Sequence, residues 1–274
     1  MTQTTPVIEL RNLTKSFKRH GISFRAVDDI SLRIQAGETL ALIGESGSGK
    51  STTGRLILGL DKPDSGDVLF QGESLRTKSA KEVRRLRANL TVVFQEPFES
   101  LNPRLRIGAI VEEPLVVQGV GSAEERRERA AGALERVGLT ASMMDRFPRE
   151  LSGGQQQRIG IARAIIGKPR MIVLDEPTAS LDRTIRRQIG DVLDELKRDL
   201  NLAYLLITHD IGTVRQVSNR SAVMLQGKIV EIGPTAEITE DPQHPYTQRL
   251  IGAELPVSVA KPRRTSIETK EAAL

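Results

Sequence analysis

Apolar and polar positions alternate along residues 7–13 and 30–34, the period of strands with one face toward solvent. Residues 39–43 form a compact apolar strand and 204–207 a further strand, while 171–174 is continuously apolar, as a strand at the centre of a parallel sheet is. A glycine-rich stretch follows the first of these runs, and then a predicted helix from Lys50 to about Leu58. Residues 68–70 predict a short strand before a turn at Gln71 and Gly72, and residues 90–94 another strand. Over 123–137 the chain is charged, with Ala130, Leu134 and Val137 on one helical face. Further helices are predicted over 152–166, with Ser152 as N-cap, and over 184–200. Residues 222–225 and 229–232 flank Gln226-Gly227, the pattern of a hairpin. Strands alternating with helices predict an α/β fold with a largely parallel sheet. The change of texture over 96–149 predicts a helical subdomain inserted into that core. After Pro256 the chain turns polar and charged, which predicts a loosely ordered tail.

Composition narrows the functions. The 274-residue chain is 38% hydrophobic and 27% charged, an ordinary balance that supports a substantial core. It has no cysteine, which excludes disulfides, thiolate catalysis and cysteine-ligated clusters, and fits a reducing compartment. A net charge of +5 would suit nucleic acid or an anionic membrane surface. The basic residues are spread out, however, which favours a solvated surface. Aromatics make up 3% with no Trp, arguing against base stacking, and no nucleic-acid partner is expected. The opening residues lack the basic-then-apolar order of a secretory signal. The apolar runs stop at strand length, short of the roughly 20 residues that cross a bilayer. Any membrane role is therefore expected to come through a partner.

Three stretches carry chemistry. Gly44-Glu-Ser-Gly-Ser-Gly-Lys-Ser51 sits between an apolar strand and a helix, the context of a phosphate-binding loop. Gly44, Gly47 and Gly49 let backbone amides approach phosphate oxygens, and the helix adds the positive end of its dipole. Lys50 reaches the β- and γ-phosphates and the Ser51 hydroxyl holds Mg²⁺. Glu45, Ser46, Ser48 and Thr52 complete the candidate nucleotide contacts. The bland alternative is a flexible Gly/Ser turn. Met171-Ile-Val-Leu-Asp175-Glu176 delivers two acids at a strand's carboxyl end, where open α/β sheets bind ligands. Asp175 supports Mg²⁺ and Glu176 orients the attacking water; alone, such acids more often cap the next turn. Leu151-Ser-Gly-Gly-Gln-Gln-Gln-Arg158 opens a helix with an N-cap serine and two glycines, a second anion-binding end unless it is only a capped helix. One ATP does not need two such ends from one chain. Two chains packed head to tail would resolve this, with Ser152 and Gly154 of one facing the γ-phosphate of the other.

With these motifs the chain resembles the nucleotide-binding subunits of ATP-binding cassette (ABC) transporters from about residue 7 to 240. The resemblance implies a P-loop NTPase (RecA-like) core with an inserted helical subdomain, at about 96–150, and a small antiparallel β subdomain. Walker A is Gly44–Ser51, Walker B is Met171–Glu176 and the signature is Ser152, Gly153, Gly154 and Gln155 after Leu151. The Q-loop glutamine resembles Gln95, which by resemblance contacts Mg²⁺ and senses the membrane subunit. Asp182 stands in the D-loop, Ser180-Leu-Asp182. The switch histidine resembles His209, which donates to the γ-phosphate and positions Glu176 and water; a lone histidine after a strand is otherwise usually structural. Phe17 falls where the family stacks adenine on an aromatic, unless it is a core residue.

The stretches Phe94-Gln-Glu-Pro-Phe-Glu-Ser-Leu-Asn-Pro103 and Asp241-Pro-Gln-His-Pro-Tyr-Thr247 look like those of oligopeptide and dipeptide importer ATPases. Residues 1–240 are thus expected to be the nucleotide-binding domain and 241–274 a C-terminal extension with a flexible tail. Many relatives carry an iron–sulfur centre in that extension, which a chain without cysteine cannot. The resemblance implies ATP and Mg²⁺ as ligands and an identical or related second ATPase subunit. It also implies two integral membrane permease subunits, an extracytoplasmic solute-binding protein reached through them, and a peripheral place on the cytoplasmic face of the cell (inner) membrane. Nickel, glutathione and other small solutes remain alternatives to a peptide. A non-transport cassette acting on ribosomes or DNA usually carries two cassettes or a long coiled-coil insertion, neither of which is present. A P-loop kinase or GTPase leaves the Ser152 motif unexplained.

Overall fold

The computed structural model describes residues 5–19, 21–94 and 101–254. In chain order it begins with β1 (Ile8–Arg19), β2 (Ile22–Ile34), β3 (Thr39–Ile43), α1 (Lys50–Ile57), β4 (Ser65–Phe70), β5 (Glu73–Ser74), α2 (Ala80–Leu86) and β6 (Leu90–Val93). Next come α3 (Ile107–Gln118), α4 (Ala123–Arg136), two 3-10 turns at Ala141–Asp145 and Pro148–Glu150, α5 (Gly153–Ile165) and β7 (Met171–Asp175). The rest is α6 (Arg183–Leu200), β8 (Ala203–Ile207), α7 (Ile211–Val217), β9 (Arg220–Leu225), β10 (Lys228–Pro234), α8 (Thr235–Glu240) and α9 (Pro245–Glu254). No helix among the described residues is long and apolar enough to cross a membrane.

A six-stranded sheet runs in the order β10-β9-β3-β8-β7-β6, parallel throughout except for the β9–β10 hairpin at one edge. A second sheet, β2-β1-β4-β5, is antiparallel. The continuous apolar runs follow from this layering. Along β3, Ala41 and Ile43 join the core shared with α3–α6, whereas Leu40 and Leu42 join the core shared with α1 and the antiparallel sheet. Strands β7 and β8 divide in the same way, with Ile172, Leu174, Tyr204 and Leu206 on one side and Met171, Val173, Leu205 and Ile207 on the other. With both faces covered, the side chains along these strands are predominantly apolar. The α/β class and the two subdomains expected from the sequence are the architecture observed.

Local signals explain most element ends. Ser79, Ser122 and Ser152 each accept the backbone N–H three residues on, while Glu82, Glu125 and Gln155 reach back to the serine amide, making three capping boxes. Gln226 and Gly227 both take the left-handed conformation (φ 47° and 85°) that a two-residue hairpin needs. Ala130, Leu134 and Val137 are all fully buried, as their spacing requires.

Several elements extend or add to the expected ones. Strands β1 and β2 run to Arg19 and back from Ile22, well beyond the alternating segments. Their outer parts are held by pairing with each other rather than by a buried face. The short helices α2, α7 and α8 carry too few apolar residues for periodicity to reveal them. The tail after Pro256 and most of the stretch around Gln95 lie outside the described residues.

Leu134→Ala should destabilise the chain by about 2–5 kcal/mol, because the site is fully enclosed between packed helices. Val117→Ala, on an exposed position of α3, should change stability by less than about 0.5 kcal/mol. Urea unfolding of both variants measures the contrast.

Candidate active site

The carboxyl ends of β3, β8 and β7 lie side by side. The loop 44–49 follows the first, His209 follows the second, and Asp175 and Glu176 end the third. Two glycines are required by close backbone approach. A side chain at Gly49 (φ 109°) would come within 2.0 Å of the Ala26 carbonyl oxygen, and one at Gly44 (φ 153°) within 2.3 Å of the Met224 carbonyl oxygen. Helix α1 follows Gly49 with no side-chain cap, unlike the three boxed helices, and with no acid in its first turn. Its open amides and dipole therefore remain free for an anion.

Lys50 is buried and its ammonium donates to the carbonyls of Gly44 (2.7 Å) and Glu45 (2.8 Å). Burial pushes its pKa down, opposed by the nearby charges of Glu176, Asp175 and Glu45. Ser51 Oγ donates to Asp175 Oδ1 at 3.2 Å. Burial pushes the Asp175 carboxyl up, the Ser51 hydrogen bond opposes this, Glu176 adds to the rise and Lys50 opposes it. Two hard oxygen donors on one spot suit Mg²⁺, which takes most of its remaining ligands from phosphates and water. Among the described residues no group of three or more His, Cys, Asp or Glu side chains forms a metal cage of its own. These two donors would fit a magnesium ion that brings phosphate and water ligands of its own.

Glu176 sits in the left-handed region (φ 50°), unusual for a non-glycine residue and characteristic of functional positions. Its amide donates to the Ile207 carbonyl at 2.8 Å, tying the end of β7 to the end of β8. Its carboxylate lies 3.0 Å from His209 Nδ1 and accepts from Thr208 Oγ1 at 3.4 Å. Farther along, Asp210 caps α7 and pairs with Arg186 of α6 at 2.9 Å, holding the His209 segment against the helix layer.

A cleft of about 830 Å³ opens over this centre, lined by Lys50, Ser51, Glu176 and His209 but not by Asp175. Gly44, Glu45, Ser46, Gly47, Gly49, Lys50, Ser51, Thr52, Glu176 and His209 are among its lining residues. Phe17 stands at the mouth, 38% exposed, its ring centroid 6.1 Å from that of Phe24. Ser48 lies beneath the loop, buried. Ser152, Gly153, Gly154, Gln155 and Asp182 are not in these walls. Ser152 caps α5 and Asp182 caps α6, accepting from the amides of Thr184 and Ile185. Gln95 falls outside the described residues.

Sequence reasoning missed Phe24, Thr208 and Leu250 as cleft or site residues. Phe24 had one usable signal, its place directly opposite Phe17 in the β1–β2 register, but that register is visible only after the strands are extended. Leu250 had none.

The fold and this cleft define a nucleotide-binding cassette. Residues 27–179 match the family model described as ABC transporter, more than half of the chain, and the chain belongs to that family. Among curated proteins it is similar to the glutathione import ATP-binding protein GsiA of Shigella boydii serotype 4 (strain Sb227), 46% identical over 94% of this chain. The chain spans 42% of that protein's length. Among solved structures it is similar to the dimeric ATP-binding cassette MJ0796 in a post-hydrolysis state bound to ADP and Pi. The identity there is 34% and the TM-score 0.75, over 83% of this chain and 98% of that one. It is also similar to cbiO1 from Clostridium perfringens, part of the ABC transporter complex cbiONQ. Identity is 28% and the TM-score 0.78, over 92% of this chain and 96% of that one.

Glu176→Gln keeps the size of the side chain and removes the carboxylate. MgATP binding should persist while turnover falls by about 10²–10⁴-fold, the usual loss for a catalytic base. Single-turnover hydrolysis with purified protein checks this, and near-normal hydrolysis would remove Glu176 from that role.

Proposed function

We propose that this chain is the ATP-hydrolysing subunit of an ABC importer, working as one of two cassettes that close around two MgATP. The observation that carries this reading is the division of the site. A phosphate loop with Glu176 and His209 lines one cleft, while a second glycine-rich helix start, at Ser152, opens outside it.

In the proposed reaction, water attacks the γ-phosphorus in line with the bond to the bridging oxygen. That bond breaks, and ADP and phosphate leave. The Glu176 carboxylate accepts a hydrogen bond from the water and takes its proton, held at its angle by His209 and Thr208. Lys50 exchanges its loop carbonyls for phosphate oxygens, and the α1 amides cradle the phosphates. Magnesium, when bound at Ser51 and Asp175, neutralises charge on the phosphate oxygens. Gln95 is proposed to report the state of this site to the membrane subunit, and Phe17 to carry the adenine. Ser152, Gly153, Gly154 and Gln155 of the second cassette close over the γ-phosphate, with Asp182 linking the two sites. The dimeric state of MJ0796 supports this arrangement.

Two integral permease subunits, a solute-binding protein reached through them and the cytoplasmic face of the inner membrane complete the proposal. A peptide-type solute is favoured by the stretches at 94–103 and 241–247. The likeness to a glutathione import ATP-binding protein supports the glutathione alternative beside the peptide reading.

Pairing is tested with mixed dimers. Ser152→Arg in one chain and Lys50→Ala in the other should retain clear ATPase activity, since one composite site keeps both its motifs. Both changes in one chain, with a wild-type partner, should abolish most of it. The opposite ranking would place the motifs within one chain. The solute is tested in cells lacking this chain, where di- and oligopeptide or glutathione uptake should fall. Intact peptide and glutathione uptake alongside lost nickel or sugar uptake would sink the solute assignment alone.

A further inference from the structure

Helix α9 (Pro245–Glu254) lies some 200 residues downstream of the phosphate loop, yet it touches it. Glu45 N donates to Tyr246 Oη at 3.0 Å, across 201 positions of sequence. Tyr246 is only 4% exposed, so this contact is shielded from solvent. One turn farther along the same face, Leu250 lines the nucleotide cleft, and Ile251 packs into the core shared with α3–α6. The helix is fastened at its start. Both carboxylate oxygens of Glu231 on β10 accept backbone amides, from Gln243 at 2.8 Å and His244 at 3.1 Å. Gln248 returns to the Pro242 carbonyl at 2.9 Å, and Tyr246 N donates to His244 Nδ1 at 3.1 Å.

Glu45 is thereby held at both ends of its residue unit. Its amide is taken by Tyr246, and its carbonyl accepts from Lys50 Nζ at 2.8 Å and from Ser48 N at 3.2 Å. When Lys50 turns to phosphate, the Tyr246 bond still fixes the first peptide of the loop. A loop already held in its binding shape loses less conformational freedom when ligand arrives.

We propose that the C-terminal helix is part of the nucleotide site. Tyr246 is a positioning residue that sets the phosphate loop at Glu45, and Leu250 completes the cleft wall. The proposal rests on reading the cleft as the ATP site, but the loop contact can be measured without nucleotide.

Tyr246→Phe in the full chain removes one oxygen and keeps the ring. In the nucleotide-free protein, hydrogen exchange at the Glu45 amide, followed by NMR, should accelerate about tenfold, the effect of losing a hydrogen bond at a shielded donor. KM for ATP should rise about three- to tenfold with kcat changed less than about twofold, because the loop shape limits binding rather than the chemical step. If Tyr246 served only through the packing of its ring, which Phe preserves, Glu45 exchange and KM would stay at their wild-type values; that result overturns the proposal. Should the wild-type chain fail to bind MgATP, the ATPase reading falls, and Glu45 exchange still decides whether Tyr246 sets the loop.

Discussion

The structure depends on burying one parallel sheet on both faces. Because Ala41, Ile172 and Leu206 face one core and Leu42, Val173 and Leu205 the other, the strands β3, β7 and β8 have no polar side to offer. Polar chemistry is forced to their ends. Their carboxyl ends meet, and there the chain places the uncapped start of α1, the acids of β7 and the histidine after β8. Apolar layering thus locates the site, and hydrogen bonds among a few residues shape it.

Those bonds cross between strands. The Glu176 amide on the Ile207 carbonyl couples the end of β7 to the end of β8, and the Glu176 carboxylate meets His209 and Thr208 from the same loop. Ser51 and Asp175 couple α1 to β7. The backbone conformation of Glu176 and the buried ammonium of Lys50 are costly in isolation; both persist because their neighbours hold them. Such a centre can exchange loop carbonyls for phosphate oxygens with little rearrangement.

Two parts of the molecule outside this centre bear on the proposed nucleotide site. The capped start of α5 lies outside the chain's own cleft, where the proposed second cassette would meet it. The C-terminal helix takes hold of the first peptide of the phosphate loop.

By itself the sequence determined whatever depends on local pattern. Continuous apolar runs announce doubly covered strands, serines with Glu or Gln three residues on announce helix starts, and the loop of Gly44, Gly47 and Gly49 announces phosphate because only glycine allows that backbone approach. Lys50, Ser51, Asp175 and Glu176 were legible as candidate site residues from the loop, helix start and strand end that carry them, and His209 through the family resemblance. Tertiary structure decided what depends on contacts between distant segments. The pairing of Phe24 with Phe17 requires the β1–β2 register, the Thr208 bond requires the left-handed turn at Glu176, and the reach of Tyr246 to Glu45 requires Glu231 to fasten α9. None of these leaves a local pattern, because the energy of a long-range contact lies in the geometry of the fold rather than in the spacing of neighbouring residues.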